Sequence, residues 1–299
     1  MNWRAKALAM RVLGWLPAGG NIHYLLQRHL TGSLPRSEHS LDRAVKMALE
    51  HLELLKPCSL MPLGEATFYE FGAGQDLVNA LTFYMNGVSH QVLVDREDLV
   101  RPELVSETAR RVDVILLRGD AKRRGGPLPE MRFPEALRRR YGIDYFPRRD
   151  AGDTGLDSES VDCITSTNTL EHIPETDIDR ILRECHRLLK PNGLMSHRID
   201  YQDHYAAVDP SISAYNFLSY SDRYWAAFCP SMLYQNRLRH SDYLNHFRRT
   251  GFAIVRERRQ EGSDEDIAAI TQLPLSTRFR QYRPEDLAVR AAVIVAQRA

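Results

Sequence analysis

The sequence predicts an α/β protein with a doubly wound, mostly parallel seven-stranded sheet. Two observations support this class. Short apolar segments alternate with helical ones from residue 67 onwards, and a glycine-rich turn, Gly72-Ala-Gly74, directly follows the first apolar segment. Strands that alternate with helices favour a parallel sheet, because each crossover needs a helix to return the chain. The 299 residues suffice for one large domain of this class with additional helices.

The strands are predicted from β-branched and apolar runs bounded by turn residues. They are Thr67–Phe71, Gln91–Val94, Ile143–Phe146, Val161–Thr165, Leu194–Ile199, Phe252–Arg256 and Val289–Ala296. The last two follow each other closely enough to add an antiparallel edge. Apolar residues at the 3.6-residue period predict helices at Ser40–Lys56, Asp76–Met85, Asp177–Leu189 and Asp242–Arg249.

Three further segments lie outside this regular alternation. Residues 1–60 are predicted to form a helical cap or extension, and residues 61–299 form the main domain. Within that domain, residues 100–140 are polar, rich in arginine and predicted to be a helical insertion. Residues 201–240 contain nine aromatic residues, against 9% aromatic residues in the whole chain.

Composition excludes several classes of protein. The net charge of +1 provides no field that would attract nucleic acid. The four cysteines are far apart and form no CxxC pair, which favours free thiols in the cytoplasm. No run is apolar enough to span a bilayer. An amphipathic N-terminal helix with Trp3, Leu8, Val12 and Trp15 could lie on a membrane surface, or it could pack on the protein's own core.

The glycine turn allows three interpretations. A P-loop needs Gly-Lys-Ser/Thr, which is missing, and the dinucleotide fingerprint places Leu77 at its third glycine. The third interpretation is the acidic turn (D/E)-x-G-x-G, which Glu70-Phe-Gly72-Ala-Gly74 matches. With this turn, with Asp95 and Asp150 after the next two strands, and with the segments SVDCITSTNTLEHIP and RLLKPNGLM, the chain resembles class I S-adenosylmethionine (SAM)-dependent methyltransferases of the type 11 group from about Thr67 onwards.

The resemblance implies a Rossmann-like methyltransferase fold, SAM as cofactor and S-adenosylhomocysteine as product. The cofactor residues that it implies are Glu70, Gly72, Ala73, Gly74, Asp95, Arg96, Asp150, Ala151, Asn168 and His172. Glycine leaves no Cβ in the way of the cofactor, Asp95 would accept from the ribose hydroxyls, and Asp150 would contact the adenine amino group. Asp76 replaces the third glycine of the longer family motif, which departs from the pattern.

The acceptor is expected beyond the carboxyl end of the fifth strand, where SHRIDYQDHY follows. We predict His204 or His197 as the base that removes an acceptor proton, oriented by Asp200 or Asp203. Solvated loop residues are the alternative interpretation. The same four residues could hold Mg²⁺, but we predict no metal site. His172 is expected to pack beside the cofactor rather than act on the acceptor.

The resemblance also places an acceptor lid at residues 201–240. Aromatic rings with amides and guanidinium groups suit a sugar or another polyhydroxylated acceptor. The predicted substrate residues are Tyr201, Tyr215, Asn216, Trp225, Asn236, Arg237 and Arg239. In the alternative interpretation, the aromatic residues are only the internal core of a helical insertion.

The sequence therefore predicts a cytoplasmic methyltransferase acting on a hydroxyl oxygen of a small-molecule or glycan acceptor. The resemblance points to a bacterial polysaccharide or secondary-metabolite pathway. Three alternatives stay open: an RNA methyltransferase, a regulatory protein that binds SAM without catalysis, and a nucleotide-dependent oxidoreductase. The oligomeric state is not predicted.

Overall fold

The computed structural model describes residues 2–16, 19–29, 32–116, 126, 128 and 131–299. Its centre is one mixed sheet whose strands are β1 Thr67–Phe71, β2 His90–Asp95, β3 Ile143–Pro147, β4 Val161–Thr167, β5 Leu189–Asp200, β6 Phe252–Gln260 and β7 Ala291–Arg298. The strand order is β3-β2-β1-β4-β5-β7-β6. β7 runs antiparallel to β5 and β6, whereas the other neighbours are parallel. The predicted fold class is confirmed, since each predicted strand overlaps one of these.

The order of the strands decides where a ligand can bind. The chain moves outward from β1 to β3 and then returns to place β4 on the other side of β1. Crossovers to opposite sides leave a crevice beyond the carboxyl ends of the strands at this switch point. The loops after β1, β2, β4 and β5 therefore meet at one edge of the sheet.

Helices cover both faces of the sheet, so that its central strands β1 and β4 are almost entirely buried. They are α1 Trp3–Trp15, α2 Gly19–His29, α3 Glu38–Leu55, α4 Val78–Met85, α5 Pro102–Leu116, α6 Phe133–Tyr141, α7 Glu175–Leu188, α8 Asp222–Ala227, α9 His240–Arg249, α10 Asp264–Gln272 and α11 Pro284–Ala288. α3, α4 and α5 pack against one another on one face. α7 and α9 pack on the other.

Two of the predicted segments, residues 100–140 and residues 1–60, bury apolar side chains against the sheet domain. In residues 100–140, α5 and α6 bury apolar residues against α4 and β3, while positions 117–125, 127, 129 and 130 lie outside the described residues. In α3, which falls within residues 1–60, Leu41, Ala48, Leu52 and Leu55 are buried against the sheet layer. The domain boundary near residue 60 stays a prediction.

Residues 201–240 form short helical turns that share a hydrophobic core with α1, α10 and α11. Trp3 of α1 is at its centre, with ring centroids 5.2 to 6.2 Å from those of Tyr205, Tyr220, Trp225 and Phe228. α1 therefore packs on this segment through Trp3, while Trp15 near its end is 78% exposed. Within the described residues, no helix is both long and apolar enough to cross a membrane.

Candidate active site

The turn after β1 combines two glycines with different surroundings. Both have positive φ, +74° at Gly72 and +75° at Gly74. A Cβ added to Gly72 would lie 2.4 Å from Cγ2 of Thr169, whereas a Cβ added to Gly74 would meet no atom within 4 Å. Gly72 is therefore required by close packing against the loop after β4. Gly74 faces open space, which a cofactor lying against the turn could use.

Glu70 lies buried beneath this turn. Its Oε1 accepts from Asn79 Nδ2 at 2.8 Å, and its Oε2 has no hydrogen-bond partner among the described residues. Burial raises the pKa of this carboxyl to about 7. A buried carboxylate oxygen without a partner is costly, so Glu70 fits a bound group that brings its own donors, such as the amino-acid part of SAM.

Asp95 ends β2 at the same edge. Its carboxylate accepts from the backbone N–H of Glu97 at 3.2 Å and is largely buried. Burial raises its pKa to about 6. Donors such as ribose hydroxyls would stabilise the charged form, because hydrogen bonds to a carboxylate favour its ionisation.

A cavity of about 320 Å³ lies beside these residues. Of the predicted cofactor residues, Gly72, Asp95, Arg96, Asp150, Ala151 and His172 line it. The site therefore fits the predicted cofactor by position, by open space at Gly74 and by the free oxygen of Glu70. Thr169 and Arg180 also line the cavity, and sequence reasoning missed both. The position of Thr169 at the cavity follows from its packing against Gly72, and no local sequence motif predicts that packing.

Other predicted cofactor residues have different surroundings. Asp150 accepts from Arg180 at 2.8 Å and from the N–H of Gly152 at 2.8 Å, so it has partners already. Asn168 has a φ of +51° and accepts from the Arg198 side chain. It does not line the cavity, and neither do Glu70, Gly74 and Ala73, the last of which is buried in the turn. Asp76 forms an ion pair with Arg36 at 2.7 Å, which ties the segment before α3 to the glycine turn.

A second cluster lies where β4 and β5 end. Glu171 and His172 follow β4 in a short 3₁₀ turn. Asp200 is the last residue of β5, and His204 begins the 3₁₀ turn after it. His204 Nε2 lies 3.8 Å from Asp200 Oδ2, and the His172 and His204 ring centroids are 5.0 Å apart. Each of Glu171, His172 and His204 offers a ligand atom within 4.8 Å of the others. Because His172 also lines the cavity, this cluster adjoins the cofactor site.

Burial controls protonation in this cluster. It raises the pKa of Glu171 to about 8 and lowers the pKa of His172. Burial also lowers the pKa of His204, and the neighbouring His172 ring lowers it further. At neutral pH the two imidazoles are thus uncharged, and an uncharged imidazole can accept a proton or bind a metal. The functional potential of Glu171 was missed, although its place directly before His172 was a signal.

Two of the predicted catalytic residues need correction. His197 is fully buried, with Nδ1 2.7 Å from Ser166 Oγ and its ring stacked on Phe247. It is a core residue that no acceptor reaches. Asp203 accepts from the N–H of Tyr205 at 2.9 Å and from Asn216 Nδ2 at 3.1 Å. It therefore holds its own loop rather than orienting a histidine, and the alternative of Mg²⁺ bound by these residues loses support.

The polar groups of the predicted substrate residues have partners within the protein, and Trp225, Asn236 and Arg237 also line a second cavity of about 260 Å³. Arg239 is fully buried and donates to the carbonyls of Tyr201, Leu287 and Val289. The other members satisfy their polar groups within the segment or on neighbouring elements. Arg237 donates to Phe217 O, Asn236 to Leu170 O and Ile173 O, Trp225 to Gln235 O, Tyr215 to Ala288 O, Asn216 to Asp203, and Tyr201 OH lies 3.0 Å from His240 Nδ1. The aromatic residues are mainly an internal core, as the alternative interpretation held.

Comparison with known proteins finds a matching family model for part of the chain. Residues 130–196 match the model of a methyltransferase domain. No curated protein matches the chain in sequence. Among solved structures, a SAM-dependent methyltransferase from Mesorhizobium loti is 15% identical with a TM-score of 0.44, over 82% of this chain and 96% of that one. A putative methyltransferase from Bacillus halodurans C-125 is 14% identical with a TM-score of 0.48, over 83% and 97%.

The domain match extends from before β3 into β5 and thus includes Asp150, Asn168, Glu171 and His172. It falls on a chain with the predicted mostly parallel seven-stranded sheet and an acidic glycine turn. The predicted enzyme family and its cofactor are confirmed.

Proposed function

We propose that this class I SAM-dependent methyltransferase transfers the methyl group of its cofactor to a hydroxyl oxygen of a small-molecule or glycan acceptor. The observation that carries the proposal is the group of Asp200, His204 and His172 next to the cofactor cavity. When bound, SAM supplies a methyl group on a sulfonium and leaves as S-adenosylhomocysteine. A hydroxyl acceptor must lose its proton during this reaction, so a base at this place supports oxygen as the acceptor atom.

His204 is the residue best placed to take that proton. Its pKa is lowered by burial and by His172, so the ring is uncharged at neutral pH, and its weakened basicity needs a neighbouring anion. Asp200 Oδ2, 3.8 Å from Nε2, would stabilise the imidazolium that forms. The side chain is 37% exposed, which leaves room for an acceptor to approach. His172 has its Nδ1 2.7 Å from the carbonyl of Tyr234, which fixes its ring beside the cavity.

The remaining residues of the site position the reactants. The carboxylate of Asp95 at the end of β2 holds the cofactor from the cavity wall, the buried carboxyl of Glu70 lies beneath the glycine turn, and Gly74 allows close approach. Alignment of two reactants alone is worth about 7–11 kcal/mol of barrier. The acceptor class is less constrained than its reacting atom, because the aromatic residues of the 201–240 segment are occupied with one another.

The test uses wild type, His204→Ala and the control His39→Ala, a histidine exposed on α3. Methyl transfer from SAM is followed by mass spectrometry with panels of sugars, nucleotide sugars, phenols and structured RNA. We expect His204→Ala to keep wild-type affinity for S-adenosylhomocysteine and to lose about 10²- to 10⁴-fold in turnover, while His39→Ala behaves as wild type. Unchanged turnover in His204→Ala, or methylation of RNA alone, would contradict the proposal.

A further inference from the structure

We propose that Glu171, His172 and His204 bind a divalent transition-metal ion, with Zn²⁺ as the probe, beside the acceptor. The role of this ion in methyl transfer rests on the proposed function, whereas the test of ion binding does not. The three side chains come from the ends of two neighbouring strands, β4 and β5, and their ligand atoms lie within 4.8 Å of one another. Two imidazoles and a carboxylate form the protein part of many catalytic zinc sites, which keep one position open.

A second observation points independently to a cation. Glu171 is 2% exposed, and its Oε2 has no hydrogen-bond partner among the described residues. Its Oε1 accepts only a long bond, 3.3 Å, from the N–H of Asp200. A buried carboxyl oxygen without a partner is destabilising. A cation would satisfy it.

The orientation of His172 agrees with a ligand role. The Tyr234 carbonyl 2.7 Å from Nδ1 can only accept, so Nδ1 carries the proton and Nε2 keeps its lone pair. Metal-ligating histidines in proteins are commonly fixed by such a bond from the other ring nitrogen to a carbonyl.

A bound ion would change the part that His204 plays. An acceptor hydroxyl at the open position would have a lowered pKa. His204 would then be a ligand, and its proton-accepting task would pass to Asp200, the carboxylate 3.8 Å from its Nε2. The hydroxyl proton goes to this carboxylate, and the acceptor oxygen keeps the electron pair that attacks the methyl group.

The experiment is a calorimetric titration with Zn²⁺ of the full chain, freed of metal with a chelator and dialysed. The variants are Glu171→Gln, which keeps the shape of the side chain, and His204→Ala. The matched control is Glu257→Gln, because Glu257 also contacts a buried histidine, His240 at 3.2 Å, outside the cluster. We expect one ion per chain, an affinity lowered about 10- to 100-fold in both cluster variants, and no change in the control.

Thermal unfolding and affinity for S-adenosylhomocysteine show whether each variant is folded, and the half-exposed His204 keeps the test decisive if Glu171→Gln does not fold. Absence of Zn²⁺ binding to wild type, or equal binding in His204→Ala, would overturn the metal site. Methyl transfer that survives the chelator, without Zn²⁺ binding, removes the metal and leaves the proposed function intact. Zn²⁺ binding without transfer to any hydroxyl acceptor supports the metal and removes the proposed function.

Discussion

The proposed cofactor side and the proposed acceptor side lie at one edge of the sheet but are built differently. The cofactor side consists of short turns directly after β1 and β2, in which local backbone geometry positions Gly74 and Asp95, while Gly72 also packs against Thr169. The acceptor side joins a turn after β4 to residues after β5, with Tyr234 contributing a carbonyl from 62 residues further along than His172. Local geometry can be read from a motif, whereas assembly from distant segments cannot.

The largest effect that would test this comparison is expected at Arg239. Arg239→Met should lower the free energy of unfolding by about 3–5 kcal/mol, because three buried carbonyl oxygens lose their donor. The measurement is chemical denaturation, with the exposed Arg223→Met as control. A variant with wild-type stability but a raised KM for the acceptor would instead show that Arg239 binds substrate.

A smaller effect distinguishes the two glycines of the turn. Gly72→Ala should cost about 2–4 kcal/mol of stability, since the new Cβ meets Thr169 at 2.4 Å in a left-handed backbone. Gly74→Ala should cost only about 1–2 kcal/mol and should instead weaken binding of S-adenosylhomocysteine. Both are measured by thermal unfolding and calorimetry.

The double variant Gly72→Ala/Thr169→Ala sharpens this prediction. It removes both side-chain atoms nearest to the new Cβ and should recover part of the lost stability. Equal stability of the two single glycine variants would contradict the distinction between a packed and an open glycine.

Sequence alone predicted the sheet and much of the cofactor side. Strand periodicity identified every strand of the described sheet, and Asp95 was identified by its place at a strand end. These features depend on a few consecutive residues. Thr169 was missed because its role arises from packing against Gly72, which lies 97 positions earlier by the numbering.

The acceptor side shows where sequence reasoning fails. His197 and His204 are seven positions apart and looked equally suited to be a base. His197 lies inside β5 and points into the core, whereas His204 begins a 3₁₀ turn beyond the strand. Likewise, the arginines and aromatic residues of the 201–240 segment had the composition of a sugar site. In the structure, their N–H and O–H groups donate mainly to backbone carbonyl oxygens. Only the tertiary contacts distinguish a residue that binds a sugar from one that stabilises the fold.

The central claim is that the turn after β1 and the carboxylate of Asp95 hold SAM independently of the acceptor cluster. Calorimetric titration with S-adenosylhomocysteine tests it on wild type, Asp95→Ala, and the control Asp98→Ala, whose carboxylate pairs with Arg148 at the surface. We expect micromolar binding by wild type and control, and at least about 100-fold weaker binding by folded Asp95→Ala, since two charge-assisted hydrogen bonds are lost. Equal binding by all three proteins would contradict the account.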